Sequence, residues 1–112
     1  MAKSSGKVSD FRDDVEDKIR EAQERVHHAR GGVSNHSKRD TSVRRDLDAF
    51  KAGMQKIQGD PAPLIADHLK DLEKSAVNVA QDKQRATHEL TLAEKELADL
   101  TRAREQLKQM RD

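Results

Sequence analysis

Residues 65–107 read IADHLKDLEKSAVNVAQDKQRATHELTLAEKELADLTRAREQL. Within them, Ile65, Leu69, Leu72, Ala76, Val79, Lys83, Ala86, Leu90, Ala93, Leu97, Leu100, Arg104 and Leu107 recur at alternating steps of four and three for six heptads. That spacing is the stripe of one long helix lying along other helices. Only Lys83 and Arg104 interrupt its apolar character. A helix over 61–111 would run about 75 Å at 1.5 Å per residue. A small globular core needs no element of that length, so the stretch predicts a hairpin or a bundle of long helices.

Just upstream, Gly59-Asp60-Pro61-Ala62-Pro63 reads as a tight turn. Asp60 can cap the long helix, and Pro61 and Pro63 suit a first turn where no amide hydrogen is required. Before the turn, Val43, Leu47, Phe50, Met54 and Ile57 keep the same spacing, with Asp40, Thr41 or Ser42 as the cap. They predict a helix over 41–58. Further upstream, Val8, Phe11, Val15, Ile19, Ala22, Val26 and Ala29 mark a third apolar face. Ser9 is its candidate cap, and Asp10, Asp13 and Asp14 complement the helix dipole. His27, His28 and Arg30 fill the last turn, and Gly31-Gly32 ends it, which predicts a helix over 9–30. The segment 31–40 (GGVSNHSKRD) reads as a break. Residues 1–8 read as a polar flexible tail and 9–112 as one helical domain.

Arm lengths decide the expected topology. Ser9 to Gly59 is fifty-one residues, and Pro61 to the end is fifty-two. If the turn reverses the chain, residue i lies near residue 120 − i. The break at 31–40 then falls opposite 80–89, where Lys83 and Ala86 weaken the stripe. The expected fold is all-α: a long helical hairpin with an interrupted first arm and coiled-coil packing. The alternative is a compact three-helix bundle, with helix 9–30 folded back beside helix 41–58 and the C-terminal helix projecting.

Both arrangements leave apolar surface uncovered, widened by Leu64, Val77 and Leu92. Self-association or pairing with another helical protein is therefore expected, with interface residues Ile65, Leu69, Leu72, Val79, Leu90, Leu97, Leu100, Leu107, Phe11, Ile19, Phe50 and Met54. A parallel in-register dimer would oppose Glu89 to Glu94 and set Lys83 and Arg104 against their own copies. Antiparallel pairing, or a four-helix dimer of hairpins, avoids both conflicts. On this reading Lys83→Leu should preserve or raise stability.

Composition limits the chemistry. One third of the chain is hydrophobic, 38% is charged, and the aromatic residues are two Phe. Apolar stripes on helices use such a composition better than a thick core does. The net charge of +1 exerts no general pull on nucleic acid or an acidic membrane. No apolar run reaches membrane-spanning length, so no membrane insertion is expected. The N-terminal residues lack the apolar stretch of a signal peptide, which makes a cytoplasmic protein the default, with leaderless export as the alternative. Without cysteine there is no thiol chemistry. His28 and Glu24 share a face and would form half a metal site, but no second half is visible and no HExxH spacing occurs. Acidic pairs such as Asp13-Asp14 are what solvated helix faces carry. No cofactor, metal site or enzymatic activity is expected.

One basic group stands out: Arg30, Lys38, Arg39, Arg44 and Arg45, candidate anion contacts diluted by Asp40, Asp46 and Asp48. Two function classes follow. The first is a non-enzymatic helical interaction module, an adaptor or structural subunit. The second is a nucleic-acid-associated helical protein using residues 30–45. In size and layout the chain also resembles the helical-hairpin substrates of type VII secretion, the WXG100 class, which pair into four-helix bundles. That resemblance implies a leaderless secreted hairpin or its partner. Gln58-Gly59-Asp60 stands where the family has its Trp-x-Gly turn, and no tyrosine is present for its C-terminal export signal.

Overall fold

A computed structural model describes residues 7–110. Two helices account for nearly all of them: α1, Lys7–Met54, and α2, Pro63–Lys108. Among the described residues there is no strand. The helices pack antiparallel as a hairpin. The chain divides into two compact units, Met1–Gly31 with His88–Asp112, and Gly32–Thr87. Both helices run through both units.

The expected first arm of two helices, 9–30 and 41–58, is one helix. Gly31 and Gly32 are helical, and the only positive-φ glycine among the described residues is Gly59. The reason lies in the spacing. The four-three alternation passes through the supposed break without a slip, along Val26, Ala29, Val33, His36, Asp40 and Val43, and every one of these is buried or half-buried. Packing of that face outweighs the helix cost of two glycines, about 1 kcal/mol each. The compact three-helix alternative falls with the break. Residues Arg12, Glu16 and Arg25 of α1 meet the C-terminal half of α2, which therefore does not project bare.

In the first unit, Val15, Ile19 and Leu107 form a buried cluster, with Val8, Leu97 and Leu100 packed against it. Ala22 and Val26 are buried in the same unit. Arg12 takes the next seam position toward the N-terminus. Its guanidinium donates to the carbonyls of Leu107 (3.0 Å), in the last turn of α2, and Met110 (2.8 Å), just past its end. Phe11, placed on the apolar face by spacing, instead lies beside the seam and is 52% exposed. In the second unit, Val79 and Ala86 are buried, and the ring of Phe50 meets His68 edge-on at 4.8 Å.

The turn differs from expectation in its details. α1 ends at Met54 rather than at 58, where i→i−3 bonds tighten the chain (Lys56 to Gly53, Ile57 to Met54). Gly59 adopts φ +84°, the left-handed conformation that glycine tolerates best. The first bonds of α2 run from Ile65 and Ala66 to the carbonyl of Ala62. Ala62 is thus the capping residue in place of Asp60, and Pro63 opens the helix where its missing amide costs nothing. At the other extreme, Lys7 and Val8, assigned to the tail from composition, are helical. Residues 1–6, Arg111 and Asp112 lie outside the described residues.

Candidate functional site: the interhelical seam and the basic face of α1

All thirteen α2 positions that define the stripe, Ile65 through Leu107, are buried or half-buried. The expected interface residues Val79, Leu107 and Ile19 are buried. Ile65, Leu69, Leu72, Leu90, Leu97, Leu100, Phe50 and Met54 are half-buried, and Phe11 is exposed. Within each unit the register is close to the one expected from arm lengths. The residue numbers of cross-helix pairs in the first unit add to 119–124, and in the second to 118 and 123.

The two basic residues in the α2 stripe each face an acid on α1. Arg104 Nη1 lies 3.6 Å from Glu16. Lys83 Nζ lies 3.5 Å from Asp40 Oδ2, and Arg44 Nε, one turn along α1, lies 3.1 Å from Asp40 Oδ1. Asp40, 4% exposed, is the only buried charged residue among those described. A buried carboxylate is tolerated when paired and hydrogen-bonded, and the two cations supply that. Sequence reasoning assigned Asp40 to a helix cap and Lys83 to a weak place. The spacing held the missing signal, since Asp40 continues the stripe of α1 at the height of Lys83. On the flanks, Arg25 pairs with Glu96, and Arg30 with Glu94 at 3.5 Å, both across the hairpin. His36 occupies the α1 stripe one turn before Asp40, and its buried Nδ1 has no hydrogen-bond partner among the described residues.

The five candidate anion contacts divide in two. Arg30 and Arg44 are engaged by Glu94 and Asp40. Lys38, Arg39 and Arg45 make no ion pair among the described residues, and Lys38 and Arg45 line one shallow depression on the outer face of α1 with Ser34, Ser37, Thr41 and Ser42. In the first unit, His28 and Glu24 share a depression with Glu21 and with Glu89 of α2. Even so, no group of three or more metal-ligating side chains converges among the described residues. No described helix is long and apolar enough to cross a membrane. No protein-family model matches the chain, and no curated protein or solved structure resembles it significantly.

Proposed function

We propose that the chain is a non-enzymatic helical interaction module that completes its apolar stripes with a second copy, two hairpins forming an antiparallel four-helix bundle. The observation that carries this reading is how incompletely two helices cover their own seam. Of the thirteen α2 stripe positions only Val79, Ala86 and Leu107 are buried. The large side chains between them keep part of their surface in water, and Val77 and Leu92 beside the stripe stand more than half exposed. An isolated helix pair of this kind is marginal, and added helices are the usual remedy.

Charge supports a second copy over an unlike partner. The chain carries 22 basic and 21 acidic residues, so copies do not repel. The flanking charges Arg25, Glu96, Arg30 and Glu94 already satisfy one another within the hairpin, so they call for no partner of opposite sign. Light scattering across a concentration series, with helical content followed on the same samples, tests the reading. The expected mass is twice 12.6 kDa with high helicity. A fully helical monomer at every concentration would sink it.

A further inference from the structure

We infer that the outer face of α1 between Ser34 and Arg45 binds the phosphodiester backbone of nucleic acid. From Gly32 to Arg45, α1 carries Lys38, Arg39, Arg44 and Arg45 against a single acid, Asp40. The structure buries that acid and binds it to Lys83 and Arg44. The solvent-facing surface therefore keeps Lys38, Arg39 and Arg45 with no acid among them, up to Asp46 and Asp48 at its far edge. Lys38 and Arg45 are exposed and lack ion-pair partners among the described residues. Between and beside them stand the hydroxyls of Ser34, Ser37 and Ser42, which suit phosphate oxygens as hydrogen-bond donors, while Thr41 donates its own to the Ser37 carbonyl.

Spacing and composition narrow the ligand. Lys38 and Arg45 are seven residues apart, about 10.5 Å along the helix. That spans roughly three phosphates of one strand in a duplex. The face has no aromatic side chain to stack on bases, so it offers no single-strand preference. It has no apolar side chain either, whereas a helix lying on a lipid surface buries an apolar face. Nucleic acid is thus favoured over a membrane. The face points away from the seam, so this inference stands whether or not the hairpin dimerises.

The test is fluorescence anisotropy of the full chain with labelled DNA and RNA duplexes of one arbitrary sequence. With two to three phosphates neutralised, affinity should fall about 10- to 40-fold between about 50 mM and about 200 mM salt. The paired substitution Lys38→Gln with Arg45→Gln should weaken binding at least tenfold and flatten that salt dependence. Lys95→Gln with Arg102→Gln removes the same charge from exposed positions of α2 and should change affinity less than twofold. Circular dichroism checks that both variants keep their helicity. Binding to DNA only, RNA only or both identifies the source of the backbone and supports the inference. No binding to either duplex at low salt overturns it. So does equal weakening by the two variants, or binding confined to vesicles of equal parts phosphatidylserine and phosphatidylcholine.

Discussion

Replacing Lys83 by leucine puts an apolar residue into an apolar stripe, and from sequence it should be harmless or better. The structure reverses that expectation, because Asp40 then stays buried with Arg44 as its only cation. A hydrogen bond to a charged group contributes about 1.5–3 kcal/mol. The Lys83 side chain is 42% exposed, so solvent screening trims this to a coupling of about 1–2 kcal/mol. The new leucine recovers part of the loss, leaving Lys83→Leu about 1 kcal/mol less stable. Asp40→Leu should stay within about 0.5 kcal/mol of the parent, since Lys83 and Arg44 can both extend into water. The double substitution exchanges an ion pair for an apolar pair and should match or exceed the parent. Urea unfolding followed by far-ultraviolet circular dichroism, at one protein concentration, closes the cycle. If the two single changes add to the double within about 0.3 kcal/mol, the pair contributes nothing and the reasoning fails.

Other outcomes follow from particular contacts. At Gly31 and Gly32 an added methyl would meet nothing within 4 Å, so each change to alanine should raise stability by about 1 kcal/mol. A lower urea midpoint would instead restore the break. Gly59→Ala should cost about 1–2 kcal/mol, because φ there is +84°. An unchanged midpoint would refute the left-handed turn. Arg12→Ala removes both bonds to the Leu107 and Met110 carbonyls. Amide exchange in the last turn of α2 should quicken while amides around Asp40 keep their protection. Leu97→Asp with Leu100→Asp places two carboxylates against the Val15–Ile19–Leu107 cluster and should abolish both helicity and association. A variant that kept its mass and its spectrum would refute the seam.

The second helix was readable because its stripe is apolar almost throughout, so spacing and chemistry agree from Ile65 to Leu107. In the first helix they disagree. His36 and Asp40 sit in the stripe, two glycines precede them, and five small or polar residues surround them. Local propensity votes for a loop there, while the phase of the repeat votes for a helix, and tertiary packing sided with the phase. Arg12 was invisible for another reason: its partners are carbonyls 95 and 98 residues away, and backbone acceptors leave no mark in a sequence. The basic group was legible as residues but not as a surface, since the pairing of Arg30 with Glu94 and of Arg44 with Asp40 leaves Lys38, Arg39 and Arg45 as its exposed cations.

The link between the helices is short, residues 55–62, with one left-handed glycine and exposed side chains almost throughout. It orders the connection, but the cross-helix pairs do not depend on it. Asp40 would meet Lys83, and Glu16 would meet Arg104, equally well if the two helices came from different molecules. Straightening that link therefore yields an arm-exchanged dimer in which every contact of the hairpin is remade between chains. The closed and exchanged forms differ mainly in the turn and in the entropy of association, so protein concentration sets their balance. Material refolded from concentrated solution should contain the exchanged form.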